Sequence, residues 1–144
     1  MDDRIEQRIT INAGLDRVWQ LVSEPGWWVP TTADEPPDRT VGHRRVRTSE
    51  KWGSFTVEVA AMEPRNYAAF RWASAFPGEE PSDGRATLVE FFVKPLADAV
   101  EVTVVESGFA ALDLPTDKRA SAWKDNTHGW QIELGDLKER AERA

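Results

Sequence analysis

Few residues in this chain have a type and position suited to chemistry, and Glu106 stands first among them. Strict alternation along 100–107 puts Val100, Val102, Val104 and Glu106 on one strand face, so a carboxylate continues an apolar row at the strand end. A carboxyl group carried inward needs hydrogen-bond donors or holds its proton more tightly. Either condition suits general acid/base work or the anchoring of a polar ligand group. The more economical expectation is a bulge ahead of Gly108 that turns Glu106 outward, or an ion pair with an arginine, because bulges cluster at strand ends. Asn126, four residues before Trp130, offers a second polar contact at the edge of the same helical face, or is solvated. His43 and His128 are the two histidines, far apart and without a ligand set around them, so neither a metal site nor a cofactor is expected. There is no nucleophile motif for a serine-type triad and no glycine-rich phosphate loop.

Tryptophan is the other unusual resource: the 144 residues contain seven. Trp123 and Trp130 fall on one face of a helical stretch. They are either packed core or the wall of a pocket shared with Phe55, Phe70, Trp72, Val89, Phe91, Val102 and Val104. A pocket of ~300 Å³ or more lined by such side chains would suit an aromatic ring or an acyl chain. Trp27, Trp28 and Trp52 lie in loops or turns and are candidates for a pocket mouth, Trp28 above all, or for a partner surface. Arg44, Arg45 and Arg47 read as a solvated strand edge, and the run from Asp34 through Glu35 to Asp38 as an exposed acidic loop.

The elements that must position these groups follow from periodicity. Ile5, Ile9 and Ile11 alternate with polar residues, a half-buried strand. Leu15, Val18, Trp19, Leu21 and Val22 then take helical spacing until Pro25 and Gly26 end it. A polar loop covers 31–40. Strands are expected over 41–50, 55–61 (with Phe55, Val57, Val59 and Ala61 on one face), 67–74, 86–94 and 100–107, joined by short turns. From Thr116 to Glu142 the chain has no Pro and one face carrying Trp123, Thr127, Trp130, Leu134, Leu137 and Ala141. At ~100° per residue these fall within an arc of roughly 80°, the mark of a long amphipathic helix with Thr116 as its expected N-cap. Consecutive strands with short connections imply an antiparallel meander with helices on one face: an α+β fold in a single domain over 1–144.

The totals narrow the partners. With 18 basic and 25 acidic residues the net charge is −7, which argues against nucleic acid or an anionic membrane. The absence of Cys removes disulfides, thiol nucleophiles and cysteine metal sites. The first residues do not form a signal peptide and no apolar run approaches ~18 residues, so a cytoplasmic location without a membrane span is expected.

Several local phrases, in this order, resemble the SRPBCC superfamily of START-related and birch-pollen-allergen-like helix-grip proteins. They are Arg17-Val-Trp-Gln-Leu-Val, Glu24-Pro-Gly-Trp-Trp-Val-Pro, Val89-Glu-Phe-Phe-Val-Lys-Pro-Leu, Val102-Thr-Val-Val-Glu-Ser-Gly-Phe, and Gly129-Trp130 with Leu134 and Leu137. Within it they look like the bacterial branch similar to the activator of the heat-shock chaperone ATPase. The resemblance implies a curved sheet of about six strands wrapped around the C-terminal helix, a short helix pair after the first strand, and a cavity between sheet and helix. It also implies a small hydrophobic or aromatic ligand for a protein that is monomer or homodimer. The alternatives are a polyketide cyclase or dehydratase acting through Glu106 without metal, or a chaperone-ATPase-interacting role.

Overall fold

The computed structural model describes residues 3–30 and 36–143. Strand β1 (Arg4–Ile11) leads into helix α1 (Leu15–Val22), and strands β2 (Arg44–Ser49), β3 (Gly53–Glu63), β4 (Tyr67–Trp72), β5 (Thr87–Pro95) and β6 (Val100–Ser107) follow. A 3-10 turn at Phe109–Ala111 then delivers the chain to helix α2 (Thr116–Glu142). The strands form one antiparallel sheet in the order β1-β6-β5-β4-β3-β2. It is a meander from β2 to β6, with β1 added against the last strand. This is the α+β helix grip: a curved sheet around a long C-terminal helix.

Three local expectations change. The helix pair after β1 is one helix followed by turns across Glu24–Trp28. Pro115 rather than Thr116 occupies the N-cap of α2, and Thr116 is its first helical residue. The bulge lies in β3, where the register against β4 shifts between Val59 and Ala61, while β6 keeps an unbroken register on both sides. The loop expected over 31–40 lies in part outside the described residues, including its acidic Asp34 and Glu35.

The first strand and the part of α2 from Trp123 to Glu142 fit each other in length. Eight residue steps of strand at ~3.3 Å cover ~26 Å, and nineteen steps of helix at 1.5 Å cover ~28 Å. That match is realised as a ladder of hydrogen bonds. Trp123 Nε1 donates to the Arg4 carbonyl (3.1 Å) and Gln7 Nε2 to the Thr127 carbonyl (2.8 Å). Lys138 Nζ donates to the Thr10 carbonyl (2.8 Å), and the Asn12 amide to the Glu142 carboxylate (2.8 Å). The apolar face of α2 then points under the sheet: Trp130, Leu134, Leu137 and Ala141 are buried, and Trp123 and Thr127 are half-buried nearer the start. Among the described residues no helix is long and apolar enough to cross a membrane.

Candidate functional site

Glu106 points inward. It pairs across the sheet with Ile5 on one side and Val89 on the other, in regular register, so alternation carries its side chain to the face that α2 covers. The side chain is fully buried. The bulge or arginine pair expected to turn it outward or neutralise it is not how the protein accommodates it. Neutral donors surround it instead.

Strands β4 and β5 supply part of that shell at the same end of the sheet. Trp72 closes β4 and pairs with Thr87 at the start of β5. Thr87 Oγ1 lies 2.5 Å from Glu106 Oε2, and Trp72 Nε1 donates to the same oxygen at 2.9 Å. Helix α2 supplies the rest from two positions one turn apart. Trp130 Nε1 donates to Oε1 at 2.8 Å, and Asn126 Nδ2 sits 3.1 Å from both carboxylate oxygens while also reaching Ser74 Oγ at 2.8 Å. Burial pushes the Glu106 carboxyl above its ordinary value; the bonds from Thr87, Trp130, Trp72 and Asn126 pull the other way without cancelling it. The indole and amide N–H groups can only donate, so Thr87, which donates to the carboxylate, is the one of these contacting groups that can instead accept a hydrogen bond when Glu106 is protonated.

Beside the carboxylate lies a continuous aromatic layer. Trp28 is at its centre, with ring centroids 5.6 Å from Phe70, 5.4 Å from Trp72, 5.6 Å from Phe91 and 5.6 Å from Trp130. Trp27 lies 5.4 Å from Phe91 and 6.4 Å from Trp130, and Phe55 lies 5.5 Å from Trp72. Both Trp27 and Trp28 are buried, and their indole N–H groups have no acceptor among the described residues. Their rings occupy the space between sheet and helix.

The turn that carries these two indoles is fixed from β2. Arg45 and Arg47 are buried, not a solvated edge, while Val46 between them is exposed. The reversal has a physical reason: the inward face of β2 meets the backbone of the turn rather than apolar side chains. Arg45 donates to the Pro25 carbonyl (3.1 Å) and pairs with Glu24 (3.4 Å), and Arg47 donates to the Val29 carbonyl (3.4 Å). Gly26 has φ +72°, and a Cβ there would lie 2.7 Å from Arg47 Cγ, so the turn can lie on the arginine stem only with glycine.

Of the residues singled out from the sequence, Trp28, Phe55, Phe70, Trp72, Phe91, Trp130, Glu106 and Asn126 come together here. Val89, Val102 and Val104 are buried on the same sheet face. Trp123 is turned to β1 by its bond to Arg4. Trp52 is exposed on the β2–β3 turn. Sequence reasoning named neither Thr87 nor Ser74 as a site residue, and it put Trp27 at a pocket mouth or partner surface rather than in the buried layer. Thr87 and Ser74 had a signal, since alternation puts Thr87 on one face with Val89 and Phe91 and Ser74 on one face with Phe70 and Trp72; Trp27 lies beyond any periodic segment. Two open surface grooves, about 430 Å³ beside Asp38 and His43 and about 390 Å³ beside Asn12 and Pro95, lie apart from Glu106. Among the described residues no cluster of His, Asp and Glu could hold a metal ion.

No protein-family model matches the chain, and no curated protein matches it in sequence. Solved structures do match in shape. Protein MLL2253 from Mesorhizobium loti is similar over 98% of both chains, with 19% identity and a TM-score of 0.74. DynU16, a protein of the dynemicin biosynthetic locus, is similar over 96% of this chain and 47% of its own, with 24% identity and a TM-score of 0.70. The Aha1 dimer from Colwellia psychrerythraea is similar over 96% of both chains, with 18% identity and a TM-score of 0.68. Identities this low speak to architecture alone, and the architecture they share with this chain is the α+β helix grip.

Proposed function

We propose that this chain binds a small hydrophobic molecule between its sheet and α2, with Glu106 as the polar anchor. The observation that carries the reading is the fully buried carboxylate at the edge of an aromatic layer whose central indoles have N–H groups without acceptors. Neither feature serves stability well. A buried carboxylate is commonly replaced at no loss by apolar packing, and an unpaired buried donor costs about 1–3 kcal/mol. A ligand offers the compensation: it takes the place of the Trp27 and Trp28 rings, and the displaced indole N–H groups reach water. The Trp27 and Trp28 side chains are what yields, since among the described residues their indoles are held by packing and not by polar bonds, while Arg45 and Arg47 keep the backbone of the turn in place.

The test is two-dimensional NMR of the tryptophan indole N–H signals during titration with a panel of small aromatic and aliphatic compounds. Binding moves the signals of Trp27, Trp28, Trp72 and Trp130 and leaves that of exposed Trp52 in place. A panel that moves none of the four overturns the reading.

A second reading, general acid/base catalysis of the cyclase or dehydratase kind, is favoured by one observation: the raised proton affinity of Glu106 next to a hydroxyl able to accept. Under it, Glu106→Gln abolishes turnover of a bound aromatic substrate while its affinity persists. Under the first reading the same substitution changes affinity.

A further inference from the structure

The shell of Glu106 says which hydrophobic molecules suit the site. All four hydrogen-bonding partners of the carboxylate, Trp72, Thr87, Asn126 and Trp130, are neutral. Three of them are locked in: Thr87 and Trp130 are buried, and Trp72 stands in the ring cluster against Trp28 and Phe55. Asn126 differs. It is half-buried, it meets half-buried Ser74, and its amide nitrogen stands equally far, 3.1 Å, from both carboxylate oxygens. A group at that point faces the carboxylate head-on, where a single cation gains most from both oxygens. Trp72 and Trp130 turn their N–H edges to the carboxylate, so they fix its position as donors and leave the head-on approach to the group that replaces the amide.

We infer that the ligand is a hydrophobic amine, whose ammonium group takes the place of the Asn126 amide between the two Glu106 oxygens while its apolar part enters the aromatic layer. The inference rests on the binding reading above and adds the charge of the ligand. An ammonium at this position turns a carboxylate with neutral partners into half of an ion pair, and it can keep the bond to Ser74 that Asn126 now makes. An anionic ligand would meet the same carboxylate as a like charge in a low-dielectric interior, which is strongly unfavourable. The net charge of −7 also favours a cation on approach.

A matched series tests this: phenethylamine, 2-phenylethanol and phenylacetate, equal in ring and chain and different in charge, titrated against the full chain and read by the indole NMR signals. Phenethylamine is expected to bind at least about tenfold tighter than 2-phenylethanol, with phenylacetate weakest. Asn126→Ala, which vacates the position, tightens the amine by about threefold or more and leaves the alcohol unchanged. Glu106→Gln brings amine and alcohol within about threefold of each other. The alcohol or the acid binding as tightly as the amine overturns the inference and leaves the binding reading standing. So does silence of all three when other compounds of the wider panel bind. Silence of the three together with the whole panel overturns both. Should Glu106→Gln not fold, the wild-type series and Asn126→Ala still decide.

Discussion

Replacing Glu106 with glutamine puts two effects of opposite pH dependence in competition. The substitution keeps the shape and one acceptor oxygen but turns the other oxygen into an NH2 group. Oε1 receives Trp130 and Asn126; Oε2 receives Trp72, Thr87 and Asn126. Whichever side becomes the amide, an indole N–H is left facing a donor, and a buried donor without a partner costs about 1–3 kcal/mol. At about pH 4 the wild-type carboxyl is largely protonated, bonds through its hydrogen to Thr87, and still accepts from both indoles. The variant is then less stable by that amount. Raising the pH acts on the wild type alone. Burial lifts the folded carboxyl above its ordinary 4.5, so once the pH passes 4.5 the folded chain keeps a proton that the unfolded chain has released. Wild-type stability therefore falls from there until the raised folded value is passed, and then levels off. Each unit between the two values is worth about 1.4 kcal/mol. Urea unfolding of both proteins from about pH 4 to about pH 9 gives the difference directly, and other titrating groups cancel in it. The gap between wild type and variant narrows as pH rises. A gap that widens would mean that the four hydrogen bonds outweigh burial and hold the folded carboxyl below 4.5, which would refute the account of this site.

Trp130→Phe keeps a ring in the layer but removes the donor 2.8 Å from Glu106 Oε1, and is expected to cost about 1–3 kcal/mol in urea unfolding; Trp130→Ala also opens a cavity and costs about 3–5 kcal/mol. Gly26→Ala meets Arg47 Cγ at 2.7 Å with φ +72°, so it should cost more than about 1 kcal/mol. It should also alter the near-ultraviolet circular dichroism of Trp27 and Trp28, which the turn carries. Burial, and then the neighbouring Asp136 carboxylate, push Glu133 up to about 7. Stability from this group is lost as pH rises from 4.5 through about 7, and Glu133→Gln should flatten the stability profile over that window.

Much of the fold was legible because its signals are local. Alternation at Val100, Val102 and Val104 locates β6 and the side on which Glu106 falls, and spacing of three and four defines the buried stripe of α2. What stayed hidden depends on contacts between distant segments. A bulge was expected in β6 because strand ends favour one, yet the irregularity sits at Val59 in β3. Arg45 and Arg47 read as solvated because charge usually faces water. Only the fold reveals that the carbonyls of Pro25 and Val29 wait on that side of β2. Trp27 lies in a turn, where periodicity is silent about which way a side chain goes. Of the site, the strand residues were readable, whereas the convergence of Asn126, Thr87 and Trp72 on one carboxylate needed the strands and the helix placed together.

The ladder between β1 and α2 has a consequence for how the chain finds its shape. Trp123 and Arg4, which it joins, are 119 residues apart, and the sheet neighbour of β1 is β6, the furthest strand of the sheet in chain order. β1 thus stays uncovered along both flanks until β6 and α2, both more than 85 residues further along the chain, are in place. Closing so large a loop is entropically unfavourable, so acquisition of the native state should be slow and concerted, with β1 left sticky until its distant partners dock.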